Sequence, residues 1–115
     1  LKLLIMSFSI IFPGQGSQAI GMMGELAARH SSVKDLFVEA SDTLGVDLWA
    51  MTQQGPIELL SQTENTQPAL LTAGVAAWHV WRELGGQSPA IMAGHSLGEY
   101  TGLVAAGAFI LQAKE

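Results

Sequence analysis

The residue best suited to chemistry is a serine set between glycines, in the run Gly94-His95-Ser96-Leu97-Gly98. A Gly-x-Ser-x-Gly run carries meaning when a strand precedes it and a helix follows. The strand then delivers the serine to a sharp turn with its hydroxyl exposed. Gly94 and Gly98 permit a strained backbone and close packing there. Ser96 would stand at the N-terminus of the next helix. The N–H of Leu97 and the helix dipole would then favour an oxyanion formed when the hydroxyl attacks a carbonyl. The plainer reading is a serine that caps a helix after a glycine-rich turn; the strand–turn–helix context favours the nucleophile.

A nucleophilic serine needs a general base beside it, and the chain has three histidines. His95 directly precedes Ser96, so its side chain is expected to point away from the hydroxyl and to give at most a supporting contact. His79 lies in a long apolar helical stretch and reads as a partly buried structural histidine. His30, beside Arg29 at the end of a surface helix, reads as solvated. None makes a convincing base, so the base is expected outside these 115 residues.

A second oxyanion donor should come from another loop. Phe12-Pro13-Gly14-Gln15-Gly16-Ser17-Gln18 follows a strand of its own, which would bring it to the same carboxyl edge as Ser96. Open α/β sheets hold their ligands at that edge. The alternatives are a glycine-rich turn that binds nothing and a weak phosphate-binding loop. A Walker A loop is excluded, because no Gly-Lys-Ser/Thr follows.

The elements that must position these residues can be read from pattern. Phe8 to Phe12 is short, rich in Ile and Phe, and stops at Pro13-Gly14, as a buried strand does. Apolar residues recur at helical spacing from Gly24 to His30 and from Val33 to Leu44, with Gly45 as a stop. Gly55-Pro56 opens a short helical stretch over Ile57 to Leu60. Thr63 to Gln67 reads as polar loop. The longest helix is predicted over Pro68 to Leu84, apolar nearly all round and so buried on more than one side, with Gly85-Gly86 ending it. Ala90 to Ala93 reads as a second short buried strand, Gly94 to Gly98 as a turn, and Leu97 to Ala108 as a helix of small residues. Phe109 to Glu115 would begin something further. Strand, helices, strand and helix in this order imply an α/β arrangement with parallel strands.

Composition narrows the classes. The chain is 49% hydrophobic and 13% charged, with a mean hydropathy of +0.33, which excludes disorder and is apolar for a free-standing domain of this size. The net charge is −5, and the five basic residues, Lys2, Arg29, Lys34, Arg82 and Lys114, are scattered. Without a basic stripe, nucleic acid is not an expected partner. An anionic substrate would rely on one or two local cations or on backbone N–H groups. Cysteine is absent, which removes disulfides, Cys-ligated zinc and thiol catalysis, and is compatible with the cytoplasm. No metal site and no membrane span are expected; the apolar stretch from Leu3 to Phe12 is too short to cross a bilayer. It also fits a signal peptide poorly. Residues 1–7 read as an extension or disordered lead, with Met6 as a natural start.

Three motifs in one order are more specific than the serine turn alone. Phe12-Pro13-Gly14-Gln15-Gly16-Ser17-Gln18, Thr66-Gln67-Pro68-Ala69-Leu70 and Gly94-His95-Ser96-Leu97-Gly98-Glu99-Tyr100 together resemble the malonyl-CoA:acyl carrier protein transacylases. The likeness runs from Phe8 onward. It implies that the serine takes malonyl from coenzyme A as an ester and passes it to the phosphopantetheine thiol of acyl carrier protein, in fatty-acid biosynthesis. Malonyl-CoA and acyl carrier protein would be the partners, with no further cofactor. Carried over, Ser96 is the nucleophile and the backbone N–H groups of Gln15 and Leu97 are the oxyanion donors. His95, Gln67, Gly94 and Gly98 are supporting residues.

The resemblance also implies an α/β-hydrolase-like core with a smaller ferredoxin-like subdomain, in proteins much longer than this one. The family's histidine base, its malonate-binding arginine, its ferredoxin-like subdomain and the remaining core strands have no counterpart within residues 1–115. The chain therefore reads as the N-terminal part of the transacylase α/β domain, inactive or nearly so alone. An incomplete sheet is expected to leave apolar surface uncovered and to promote self-association. The competing readings are an acyltransferase domain of a fatty-acid or polyketide synthase, an α/β-hydrolase-type serine esterase, and a non-catalytic interaction module. The esterase would explain the serine turn but not the Phe-Pro-Gly-Gln-Gly-Ser-Gln loop.

Overall fold

The computed structural model describes residues 7–107. Ser9–Phe12 forms strand β1 and Ile91–Gly94 forms β2. Between them run α1 (Gly24–Arg29), α2 (Ser31–Leu44), α3 (Leu48–Gln54), α4 (Ile57–Leu60) and α5 (Thr63–Glu83); α6 (Gly98–Ala105) follows β2. The strands pair in parallel, Ser9 opposite Ile91 and Phe12 opposite Gly94. The α/β class and the short parallel strands are as expected, but neither strand is buried as expected, because one face of the sheet is left uncovered. The expected lead lies outside the described residues except for Ser7, and so does the segment from Phe109.

The main core is helical. Val33 and Phe37 of α2, Leu48 of α3 and Leu60 of α4 are fully buried against Ala69, Ala73, Ala76 and Val80 of α5. The α5 residues recur every three or four positions, one stripe of a helix, and small alanines let α2 approach closely. The Phe37 ring packs against Trp49 with centroids 5.1 Å apart. Gly45 ends α2 in the left-handed conformation, φ 75°, its N–H donating to the Ser41 carbonyl. Asp47 caps α3 by accepting from the Ala50 N–H at 3.0 Å.

The sheet is covered on one face. Phe12 is buried and Ile10 and Met92 are half-buried on the side of α5 and α6. On the opposite face, Ile11 is 73% exposed and Ile91 is 63% exposed. Paired residues of a parallel ladder point the same way. Ser9, Ile11, Ile91 and Ala93 therefore make one open surface.

Several boundaries differ from the sequence reading. Thr63 to Gln67 is not loop but the first turns of α5, with Pro68 inside the helix. The missing Pro68 N–H would have met the carbonyl of Glu64, an exposed residue in the first turn, so the helix loses little by its absence. Thr66 is buried, and its hydroxyl donates to the carbonyls of Leu60 and Gln62. Polar composition there reflects a helix start that carries its own hydrogen bonds. Helix α5 is buried on more than one side, as expected, against α2 and against α6, although Trp81 near its end is 40% exposed. Helix α6 stops at Ala105, before Gly107 at φ 85°, rather than reaching Ala108. The segment α3, bounded by the Asp47 cap and Gly55, was not anticipated.

Candidate active site

The parallel ladder brings two loops together at the carboxyl ends of its strands. The last register pair is Phe12 and Gly94, and the His95 N–H donates to the Phe12 carbonyl at 3.1 Å. The chain then leaves β1 through Pro13-Gly14 and β2 through His95-Ser96. These two segments touch. A Cβ on Gly14 would lie 2.6 Å from the His95 carbonyl oxygen, 3.3 Å from its Nδ1 and 3.4 Å from Ser96 Cβ. Only a glycine leaves this space.

Ser96 itself sits at φ 55°, a left-handed conformation that costs a residue with a side chain of order 1–3 kcal/mol. Such strain persists where the surroundings force it, and the flanking glycines show how. A Cβ on Gly94 would fall 2.0 Å from the Gly98 carbonyl carbon, and one on Gly98 would fall 2.0 Å from the Phe12 carbonyl oxygen. The turn is thus pressed onto itself and onto the end of β1. Gly98 N–H donates to His95 and Glu99 N–H to Ser96, which starts α6. The Ser96 side chain is left exposed.

The facing loop is held by its own polar groups. Gly14 accepts from both the N–H and the hydroxyl of Ser17, the latter at 2.8 Å. The Gly16 N–H donates to Gln18 Oε1 at 2.8 Å. Among the described residues the N–H groups of Gln15 and Leu97 have no protein acceptor. The two expected donors are therefore free. The loop is also tied to α4 and α5. Gln15 Nε2 donates to Thr63 Oγ1 at 3.2 Å, and Gln18 Nε2 to Ser61 Oγ at 3.3 Å. Sequence reading passed over Ser61 and Thr63, which lie 43 and 48 positions from their partners, too far for any local pattern to show. Gln67 is exposed one turn after Thr63, on the same side of α5.

The histidines do not complete the site. His95 is exposed, its ring lying against Gly14, and forms no hydrogen bond with Ser96. His79 is exposed rather than partly buried, with Nε2 3.0 Å from Glu83 Oε1. It occupies the outer face of α5, which the all-round apolar reading hid. His30 is half-buried between α1 and α2 rather than solvated, because the chain turns there from one helix into the next. Cations also lie elsewhere. The Arg82 guanidinium stands 5.7 Å from the Trp78 ring and donates to Ser88 Oγ. That is at the far end of α5 from Thr63, roughly 30 Å along the axis.

The structure thus sets a strained serine between a β-strand and a helix, beside a glycine-rich loop. The model of the acyl transferase domain matches residues 9–113. The chain belongs to the acyl transferase domain family. The malonyl CoA-acyl carrier protein transacylase of Salmonella typhimurium is 62% identical over 100 residues, which are 87% of this chain and 32% of that protein. Among solved structures, an acyl carrier protein S-malonyltransferase from Vibrio cholerae superposes with a TM-score of 0.87 at 60% identity, covering 89% of this chain and 33% of the other. A malonyl-transacylase solved in complex with its type II PKS acyl-carrier protein superposes equally well, TM-score 0.87, at 59% identity and with the same coverage. The chain thus spans about a third of the length of the relatives it matches.

Proposed function

We propose that this chain carries the nucleophile and both oxyanion donors of a malonyl-CoA:acyl carrier protein transacylase of fatty-acid biosynthesis. The Ser96 hydroxyl oxygen attacks the malonyl thioester carbonyl and gives up its proton. The carbonyl oxygen, now negative, is held by the N–H groups of Gln15 and Leu97. Collapse expels the coenzyme A thiolate and leaves malonyl as an ester on Ser96. The phosphopantetheine thiol of acyl carrier protein then attacks that ester and regenerates the serine. The observation that carries this reading is Ser96 at φ 55° packed against Gly14, with the Gln15 and Leu97 N–H groups without an acceptor among the described residues. The transacylase relatives and the neighbour bound to its carrier protein support the choice of substrates. No cofactor is required, since coenzyme A and phosphopantetheine act as substrates. A chain without cysteine suits a cytoplasmic setting.

No hydrogen bond joins a histidine to the Ser96 hydroxyl among the described residues, and we infer, as the resemblance implies, that the base and the malonate-binding cation are supplied from outside residues 7–107. The test replaces the matched third of the Salmonella relative with this chain and measures malonyl transfer from radiolabelled malonyl-CoA to carrier protein. Transfer is expected, with a loss of about 10⁴ or more on Ser96→Ala. An inactive fusion beside an active parent, or a Ser96→Ala fusion that still transfers, would overturn the reading. So would hydrolysis of p-nitrophenyl esters without transfer to a thiol, the behaviour of an esterase. Without that partner segment the chain is expected to acylate only slowly.

A further inference from the structure

We propose that Thr63 is a positioning residue that holds the Gln15 N–H where the oxyanion forms, an inference that rests on the acyl-transfer reading above. The Gly14–Gln18 loop is pinned near Ser96 by backbone contact at Gly14 alone. Gln15 is one residue further and its own N–H has no protein acceptor. A donor aimed at a charge that exists only in the transition state must be fixed in advance, because reorganisation at the moment of reaction costs rate. Something other than the backbone ladder has to fix it.

The Gln15 side chain does so by reaching across to α5, donating from Nε2 to Thr63 Oγ1 at 3.2 Å. Gln18 makes a second, parallel tie. Its amide oxygen accepts from the Gly16 N–H at 2.8 Å while its Nε2 donates to Ser61 Oγ at 3.3 Å. The loop is therefore fastened at Gln15 and at Gln18 by side-chain amides to one anchor, the junction of α4 and α5. That anchor is stiff. Thr66 donates to the Leu60 and Gln62 carbonyls and Asn65 Nδ2 donates to the Leu59 carbonyl at 3.0 Å. Thr66 and Leu60 are fully buried, which ties the junction to the helical core. Thr63 makes no hydrogen bond to Ser96, and its effect passes through Gln15.

The test compares Thr63→Val, which keeps the shape and removes the acceptor, with Thr63→Ser, which keeps the hydroxyl. Backbone ¹⁵N order parameters are read in this chain, and kcat and KM in the Salmonella fusion. Thr63→Val is expected to lower the order parameters of Gln15 and Gly16 from about 0.85 towards 0.6 and to leave those of Val33 and Phe37 unchanged. In the fusion, kcat is expected to fall about tenfold with KM for malonyl-CoA unaltered, and Thr63→Ser is expected to restore both. Gln15→Met removes the same bond from its other end. It should reproduce the effect and add nothing when combined with Thr63→Val. An unchanged order parameter at Gln15 in both single variants would overturn the proposal whatever happens to kcat, as would a raised KM at constant kcat. Loss of order without any role for Ser96, shown by an active Ser96→Ala fusion, would instead refute the acyl-transfer reading and leave the tether standing as structure alone.

Discussion

Around Phe37 the chain closes on all sides, whereas around Ile11 one side stays open, and the two regions are built from opposite kinds of residue contact. Phe37 is fully buried among α2, α3 and α5, its ring tilted 59° against that of Trp49. Its neighbours come from elements close in sequence, joined by turns of a few residues. Ile11 lies on a two-stranded sheet whose other face meets α5 and α6, and it is 73% exposed. The helical region holds itself together through packed volume. The sheet region is held through backbone, by ladder bonds and by glycines at 14, 94 and 98 that allow near-contact. The candidate site belongs to the second kind, which explains how it can be well defined next to an open apolar surface.

Substitutions can break this contrast. Phe37→Ala should have the largest effect on stability, about 3–5 kcal/mol, because it removes a ring from a site that neighbouring helices cannot collapse to fill. Urea unfolding followed by tryptophan fluorescence would measure it, and a loss below about 1 kcal/mol would mean the helical region is looser than its burial implies. Gly98→Ala should cost less globally, about 1–3 kcal/mol. Its damage should be local, because the new methyl meets the Phe12 carbonyl oxygen, which cannot move without breaking the ladder. The expected sign is loss of malonyl transfer in the fusion at a concentration of urea where the helices stay folded. Coincident loss of both would show the two regions to be one cooperative unit.

The smallest expected change in stability is at the open face. Ile11→Lys and Ile91→Lys should shift the unfolding free energy by less than about 0.5 kcal/mol. Sedimentation velocity should show them less associated than the parent chain. Unchanged association would place the contact elsewhere.

The same contrast accounts for what could be read from sequence. The strands, the Gly45 stop and the turn around Ser96 are written locally, in apolar runs bounded by Gly and Pro, and each is found within a residue or two. The start of α5 is hidden because Thr63 to Gln67 is polar and precedes a proline, both of which signal loop when taken alone. The hidden fact was Thr66, a polar residue that satisfies two carbonyls and is therefore buried. The candidate site could be proposed from motifs, since Ser96, Gln15 and Leu97 lie in runs with characteristic glycines. Its tethers could not. Thr63 and Ser61 meet Gln15 and Gln18 only because α5 packs beside β1, and no pattern within either segment records that.

The pairing of β1 with β2 has a further consequence for how the chain folds. Ser9 and Ile91 are neighbours in the ladder although they are about eighty positions apart. Joining them in an open chain carries the full entropy of closing a loop of that length, before any compensating contact exists. Docking α2 on α5 first draws in most of that loop through short-range steps, and contacts of low sequence separation form fastest. The meeting of Gly14 with Ser96 is therefore expected late in folding. Slow helix packing would delay it, and a chain caught before it would have its helices in place and the two loops of the candidate site apart.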